Sequence, residues 1–243
     1  MADPKLVAEL APTGALRAAI NMGNFLLVTG KTASGDPTGV SPSIATAIAE
    51  RLGVPIKFVP YAKPGELADD AGKGLWDIGN IGAEPQRAQK IFFTAAYCEI
   101  EATYLVPPGS PIKAIAEVDQ AGKRVAVTAR SAYCLWLENN LKHAELVQFN
   151  SADEAVKQFK DEKMDAYAGL RPGLVDLEKS LPGSRILEGQ FAAVQQAVGT
   201  AKTNILASNF LADFVEEAKR EGLVEKFIEQ HGVVGRLSVA PPA

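Results

Sequence analysis

The stretch SPSIATAIAERLGVPIKFVPY, residues 41–61, predicts one α-helix followed directly by one β-strand. Ser41 and Pro42 suit the start of a helix, because serine can cap free backbone N–H groups and proline fits the first turn. Gly53 and Pro55 end it, since glycine is favoured just past a helix and proline cannot continue one. Between these limits the apolar residues recur at helical spacing, at Ile44, Ala45, Ile48, Ala49 and Leu52.

A strand is predicted on each side of this helix. Leu16–Ile20 precedes the helix and Ile56–Tyr61 follows it, both as short apolar runs. The same alternation of strand and helix continues along the chain, which is typical of a mostly parallel sheet. The sequence therefore predicts an α/β fold, with further strands at Trp76–Ile81, Arg124–Thr128, Glu145–Phe149 and Ala166–Leu170.

The strongest break in composition is PPGSP, residues 107–111. Proline and glycine clusters interrupt regular structure, so we expect the chain to leave a first lobe here and to build a second one. A late strand around Val194–Gly199 precedes two further helices, which would rejoin the first lobe. The prediction is one lobe from residues 1–106 with 196–243 and another from residues 107–195, with crossings near Thr103–Pro108 and Ala193–Ala197.

The composition argues against two broad classes of protein. No stretch approaches the roughly 18 consecutive apolar residues that span a bilayer, so a membrane protein is not predicted. The formal net charge is −4 and the basic residues are scattered among acidic ones, so nucleic acid is not an expected partner. Cys98 and Cys134 lack the spacing of a metal or redox motif. We expect both thiols to be free and partly buried, and we expect neither a metal nor a cofactor.

The first residues leave the cellular compartment open. Met1–Lys5 has neither the charged region nor the apolar region of a signal peptide. Two interpretations fit this observation. The chain is either a periplasmic protein whose signal peptide has been removed or a cytoplasmic protein.

Several motifs occur in a fixed order along the chain. They are LRAAIN (16–21), PTGV (37–40), AIAERLGV (47–54), WDI (76–78), QRA (86–88), IFFTAAY (91–97), GKRVAV (122–127) and MDA (164–166). In order and spacing they resemble the amino-acid-type (family 3) solute-binding proteins of bacterial ABC importers. The resemblance implies a two-lobed, type II periplasmic-binding-protein-like fold, each lobe being a mostly parallel sheet flanked by helices. It also implies capture of a small carboxylate-bearing ligand in an interlobe cleft by hinge closure, together with an ABC permease.

The resemblance places two ligand-binding residues. Arg87 stands where the family has an arginine for the ligand carboxylate, and a planar guanidinium with several N–H donors suits that role. Ser131 stands at a helix start, where free N–H groups and the helix dipole favour an anion. Each residue also has a plainer interpretation, in which Arg87 pairs with an acid such as Glu84 at the surface and Ser131 only caps its helix.

Leu170 departs from the family pattern, because it stands where the resemblance implies an aspartate for the ligand's ammonium group. An ammonium group buried without a carboxylate partner loses its hydration and gains no ion pair. We therefore expect an organic acid or a modified amino acid as the ligand, with Leu170 in apolar contact with it. An acid from elsewhere, Glu84 or Glu99, could replace the missing aspartate.

The other predicted ligand contacts match the family less closely. Asn24 stands where the family has a stacking aromatic ring, and Phe25 beside it is the alternative ring. The segment before Arg87 is shorter than the family pattern, which leaves Asn80 and Gly82 as contacts in place of a pair of hydroxyl residues.

No catalytic residue is predicted. The sequence has no nucleophile elbow, phosphate loop or metal-spaced His/Glu pair. The strongest enzymatic alternative is a cyclohexadienyl dehydratase, because such enzymes resemble this family and add a general acid in the cleft. Glu99 and Glu101 are the candidates for that acid. A signalling or scaffold module has no feature in its favour.

Overall fold

A computed structural model describes residues 3–243, so Met1 and Ala2, which enter the expectation about a signal peptide, lie outside the described residues. The chain forms two compact units. Unit 1 contains the residues up to Glu99 together with Gln195–Ala243, and unit 2 is Ile100–Val194. The chain passes between the units within two long strands, Cys98–Val106 and Ala192–Ala201. The first boundary predicted from the sequence, after residue 106, lies at the far end of the earlier strand.

The described part of the chain has eight α-helices and 13 strands. The helices are α1 (Pro4–Leu10), α2 (Val40–Leu52), α3 (Pro64–Asp69), α4 (Ala132–Asn140), α5 (Ala152–Asp161), α6 (Arg171–Ser180), α7 (Ile205–Arg220) and α8 (Leu223–Gln230). The strands are β1 (Leu16–Asn21), β2 (Gly30–Lys31), β3 (Pro37–Thr38), β4 (Ile56–Tyr61), β5 (Ile78–Gly82), β6 (Ile91–Phe93), β7 (Cys98–Val106), β8 (Arg124–Thr128), β9 (Glu145–Phe149), β10 (Ala166–Leu170), β11 (Arg185–Ile186), β12 (Ala192–Ala201) and β13 (Ser238–Val239). The predicted α/β fold class is confirmed.

The sheet of unit 1 is built around β1. Strands β4 and β5 pair with β1 in parallel, with Ala18 opposite both Phe58 and Ile78. Strand β12 then pairs with β5 in the antiparallel direction, with Asn80 opposite Val198. Helices α2 and α3 contact β1, whose central residues are fully buried. A strand covered in this way needs an apolar run instead of an alternating pattern, as the sequence of β1 provides.

Helix α2 begins at Val40, slightly before the predicted start, and its cap is Gly39. Gly39 has a φ of 147°, and a Cβ atom there would lie 2.2 Å from the Leu27 carbonyl oxygen. Only glycine fits this close approach. At the other end Gly53 adopts the left-handed conformation, with a φ of 72°, as expected for a glycine that follows a helix.

The C-terminal segment belongs to unit 1. Helix α7 contacts α1, and α8 contacts α2. Arg51 in α2 makes two hydrogen bonds to Glu217 in α7, of 3.0 and 3.1 Å. The Ser43 hydroxyl at the start of α2 lies 2.8 Å from Nε2 of His231, just after α8.

The sheet of unit 2 places β10 between β7 and β8. Strand β10 runs antiparallel to β7 and parallel to β8, and β9 extends the sheet in parallel with β8. Inward-facing apolar residues of these strands pack against α4. This core contains Tyr104, Val125, Val127, Cys134, Leu137, Ala166 and Ala168.

Candidate ligand-binding site

Arg87 lies in a short turn that begins five residues after the end of β5 at Gly82. Residues Arg87–Gln89 form one turn of 3₁₀-helix, which the Lys90 N–H closes by donating to the Arg87 carbonyl oxygen at 3.1 Å. Just before it, the Ala88 N–H donates to the Glu84 carbonyl oxygen at 2.9 Å. The Arg87 residue is only 5% exposed, and its Nη1 donates to the Gly82 carbonyl oxygen at 2.8 Å. Arg87 is therefore a buried guanidinium held against the end of β5, not the surface residue of the plainer interpretation.

Glu84 is a second buried ionisable residue in the same segment. It is 7% exposed, and among residues 3–243 no hydrogen bond or ion pair engages its carboxylate. Loss of hydration raises the pKa of Glu84 to about 7, although the nearby positive charge of Arg87 lowers it. The predicted surface pair between Glu84 and Arg87 is not formed.

Asn80 and Gly82 are the two other predicted contacts on this strand. The Asn80 side chain is buried and its Nδ2 donates to the Ser41 carbonyl oxygen at 3.0 Å. It therefore faces the start of α2. The Gly82 carbonyl oxygen accepts from Arg87, so the contribution of Gly82 to this region is its backbone.

Asn24 and Phe25 lie in the turn after β1. The Asn24 side-chain oxygen accepts from the backbone N–H groups of Leu26 and Leu27, at 3.1 and 3.3 Å. This is the local turn-forming role typical of asparagine. Phe25 is 48% exposed, and the Arg236 guanidinium lies 5.6 Å from the centre of its ring. Of the two residues, Phe25 is the one that presents a ring.

Glu99 lies at the end of unit 1, close to the segment that carries Arg87. The Gln195 side-chain Nε2 donates to its carboxylate at 2.8 Å. The Gln195 carbonyl oxygen in turn accepts from the Ala83 N–H at 2.8 Å. Unit 1 thus brings Arg87, Glu84 and Gly82 together, with Glu99 linked to them through one residue.

Ser131 caps α4 in unit 2. Its hydroxyl donates to the Thr128 carbonyl oxygen at 2.8 Å and accepts from the Cys134 N–H at 3.2 Å. The residue before it, Arg130, has a φ of 60°, which is unusual for a residue other than glycine. Such a backbone conformation costs free energy, so the packing around this turn must hold it in place. The capping role is established by these contacts, and ligand binding by Ser131 stays a prediction.

Leu170 ends β10 and precedes α6. It is half-buried and packs with Ala132, Tyr133 and Phe191 in one apolar cluster. Unit 2 therefore brings Leu170 next to the first turn of α4, which Ser131 caps. Tyr133 was not predicted as a candidate, although its place two residues after Ser131 puts it in that first turn.

Arg171 and Glu101 form an ion pair in unit 2. The Arg171 guanidinium donates to the Glu101 carboxylate and to the Gly189 carbonyl oxygen. The Glu101 side chain is 56% exposed. A solvated, paired carboxylate lacks the burial that commonly tunes a carboxyl group for general acid catalysis.

The sequence profile of the bacterial extracellular solute-binding proteins, family 3, matches residues 23–233. This chain belongs to that family. The family resemblance stated from the motifs is therefore confirmed, and the chain is a solute-binding protein. Within residues 3–243, no group of three or more His, Cys, Asp and Glu side chains is arranged to hold a metal ion.

Curated relatives and solved structures agree with this assignment. The L-cystine-binding protein TcyJ of Escherichia coli is 23% identical over 198 residues, which cover 81% of this chain and 74% of TcyJ. The structure of the solute receptor for L-cysteine of Neisseria gonorrhoeae has a TM-score of 0.76 at 20% identity and covers 96% of this chain and 99% of its own. The ancestral amino-acid-binding protein AncCDT-1, a precursor of cyclohexadienyl dehydratase, has a TM-score of 0.73 at 21% identity, with coverages of 92% and 97%. At these identities the structures support the fold.

Two further observations bear on earlier expectations. Among the described residues, none of the helices has the length and apolar character needed to cross a bilayer. Cys98 and Cys134 are both buried, and both are free thiols.

Proposed function

We propose that this solute-binding protein captures a small carboxylate-bearing ligand, with Arg87 binding the carboxylate and with closure of the two units as the capturing motion. The observation that carries the proposal is the buried guanidinium of Arg87 in the turn after β5. A guanidinium can form two parallel N–H···O bonds with a carboxylate, and such charge-assisted bonds are stronger at a desolvated site. The two strand crossings supply the hinge in this proposal.

The proposed partner is the permease of an ABC importer, and the proposed compartment is the periplasm. The family description, extracellular solute-binding proteins, supports the compartment. One structural neighbour is the amino acid ABC transporter substrate-binding protein AbpA from Streptococcus pneumoniae bound to L-arginine, with a TM-score of 0.72 at 19% identity. Its description supports an importer as the context in which this chain acts.

The proposed ligand carries a carboxylate but no free α-ammonium group. Leu170 supports this part of the proposal, because it is packed among apolar side chains at the position where the family places an aspartate. The neighbouring Arg171 is paired with Glu101, so that carboxylate is already engaged. Relatives named for cystine, cysteine and arginine make those amino acids the necessary comparison compounds.

The test begins with a thermal-shift screen of the full chain. The panel contains L-cystine, L-cysteine, L-arginine, their N-acetyl derivatives, benzoate and citrate. A ligand that binds only the folded state raises the melting temperature by mass action. We expect N-acetylated or organic acids to raise it and the free amino acids to leave it unchanged. Sub-micromolar binding of an unmodified amino acid in calorimetry would refute this choice of ligand class.

Arg87→Ala tests the carboxylate contact itself. Removing one partner of a buried charge pair should weaken binding of the best panel compound by about 2–5 kcal/mol. Arg51→Ala is the matched control, because Arg51 is a solvent-exposed arginine of unit 1 that pairs with Glu217. Equal affinity of the folded Arg87→Ala variant and the control would show that Arg87 does not bind the ligand.

A dehydratase is the second candidate function, because AncCDT-1 is described as a precursor of cyclohexadienyl dehydratase. Glu101 is a poor general acid in this structure, being largely exposed and paired with Arg171. Glu84 fits the requirement better, since burial raises its pKa to about 7. Incubation of the full chain with prephenate or arogenate separates the two functions, and we expect no aromatic product.

A further inference from the structure

The Glu84 carboxyl group is a buried acid to which the described residues offer no direct partner. It is 7% exposed, and no hydrogen bond or ion pair within residues 3–243 reaches it. Burial removes much of the hydration of this carboxylate, which favours the neutral acid.

The nearest positive charge does not reverse this preference. Arg87 stands three residues further along the same segment and lowers the pKa of Glu84, but loss of hydration has the larger effect and the result is about 7. A pKa raised to about 7 brings the neutral acid within reach at physiological pH. A site meant to accept a cationic group would keep this carboxylate ionised.

The elements that contact the segment of Glu84 and Arg87 bring few other charges. Strand β12 lies next to the segment, because the Gln195 carbonyl oxygen accepts from the Ala83 N–H, and β12 has no titratable residue. Strand β6, which contacts the turn of Arg87, has none either. Lys90 at the end of that turn is exposed, and Glu99 accepts a hydrogen bond from the Gln195 side chain.

We propose that Glu84 is protonated when the ligand binds and donates a hydrogen bond to the ligand carboxylate that Arg87 holds, so that each ligand is captured together with one proton. This inference rests on the proposed function. Two ionised carboxylates in one buried site repel each other, whereas one shared proton removes the repulsion and forms a short charge-assisted O–H···O⁻ bond. In molecules whose Glu84 is ionised before binding, the proton comes from solvent.

The first experiment measures binding to the unmodified chain as a function of pH. The probe is the tightest binder of the panel above, titrated calorimetrically at pH 5.5, 7.0 and 8.5. We expect the affinity to fall on the order of tenfold for each pH unit above about pH 7. Titrations at pH 8.5 in phosphate and in Tris should differ in heat by the ionisation of one buffer molecule, because one proton is taken up.

The second experiment replaces the carboxyl group with a donor that cannot titrate. Glu84→Gln keeps an N–H donor, so it should bind at pH 8.5 as tightly as the wild type binds at pH 5.5, within about threefold. Glu84→Ala should bind about tenfold more weakly than Glu84→Gln, because no donor remains. Glu50→Gln is the matched control, since Glu50 is exposed on α2, and it should keep the pH dependence of the wild type.

Three results would overturn the inference. Wild-type affinity that does not change with pH shows that no proton is taken up. Affinity that rises with pH and is lost in Glu84→Gln shows that an ionised Glu84 binds a cationic group. The third result comes from infrared spectra recorded at pH 6 without ligand. If the wild type and Glu84→Gln show the same protonated carboxyl bands, Glu84 is not protonated.

The Arg87→Ala variant separates this inference from the proposed function. Loss of binding in Arg87→Ala together with a flat pH profile contradicts only the role of Glu84. Normal binding in Arg87→Ala contradicts the proposed function itself. If circular dichroism finds Glu84→Gln unfolded, the buffer heats of the wild-type chain decide the question alone.

Discussion

Three buried polar side-chain atoms lie near the start of α2, one each from Ser41, Asn80 and Tyr97. The Ser41 hydroxyl, the Asn80 side-chain oxygen and the Tyr97 hydroxyl have no hydrogen-bond partner among the described residues. The Tyr97 hydroxyl lies beside Ser41 without forming a hydrogen bond of acceptable geometry, and burial raises the pKa of Tyr97 well above its usual value. An unpaired buried hydroxyl costs free energy that an apolar group of the same shape avoids.

Tyr97→Phe should therefore leave the free energy of unfolding unchanged or raise it by up to about 1 kcal/mol. Tyr61→Phe is the matched control, because the Tyr61 hydroxyl donates to Asp70 at 2.9 Å and its removal should cost about 1 kcal/mol. Urea unfolding of the two variants measures both values. A larger loss in Tyr97→Phe than in Tyr61→Phe would mean that the Tyr97 hydroxyl has a bonded partner in solution.

Residue-scale roles were the least predictable from the sequence. The Glu84–Arg87 segment was recognised by its motif, but the burial of Glu84 was not predicted. The segment is held next to β12 by the hydrogen bond from the Ala83 N–H to the Gln195 carbonyl oxygen, and Gln195 is far away in the chain. The hydrogen bond from the Asn80 side chain to the Ser41 carbonyl oxygen was not predicted, and its role as a ligand contact stays a prediction. Such facts follow from tertiary packing, which spacing along the sequence does not encode.

Among the elements, α2 has a glycine at each end. Gly39 combines a φ of 147° with the backbone of Leu27 so close that a Cβ atom would overlap its carbonyl oxygen. Gly53, at the other end, has a φ of 72° but open space where a Cβ atom would lie. Substitution of Gly39 would therefore introduce both steric overlap and backbone strain, whereas substitution of Gly53 would introduce backbone strain alone.

Gly39→Ala should destabilise the chain by more than about 3 kcal/mol, because the backbone of Leu27 has to move. Gly53→Ala should cost about 1–2 kcal/mol, the price of a left-handed conformation alone. Thermal unfolding at matched concentration compares the variants. Similar losses at both positions would contradict the importance of the contact with Leu27.

Element positions were well predicted where the apolar pattern is long and regular. The strands β8, β9 and β10 have the predicted bounds, Arg124–Thr128, Glu145–Phe149 and Ala166–Leu170. The start of α2 was placed slightly late because Gly39, not Ser41, caps it, and a glycine cap leaves no side-chain signal. Short strands such as β2, β3 and β13 carry too few residues to show a period.

For the whole molecule, unit 1 is completed by a segment that is distant in sequence. The residues from Gln195 onward supply part of β12 together with α7, α8 and β13. Val224 and Ile228 of α8 are buried, and β13 pairs with the start of β7 through Cys98 and Glu99.

Deleting residues 223–243 should therefore weaken unit 1 selectively. Loss of α8 uncovers α2, so hydrogen exchange of the β1 and β4 amides should accelerate by at least about tenfold. The amides of β8 and β9 in unit 2 are the internal control and should keep their protection. Equal acceleration in both units would show that the chain unfolds as one cooperative body.

Because the chain crosses twice between the units, unit 2 is completed before unit 1 during synthesis. Unit 2 is one continuous segment and is complete once Val194 has left the ribosome, whereas unit 1 still lacks its part of β12, from Gln195 onward. Until Gln196–Gly199 emerges, β5 has an unpaired edge from Gly79 to Gly82. An open edge invites pairing with other chains, so the nascent protein is most exposed to aggregation just before residues 195–201 are translated.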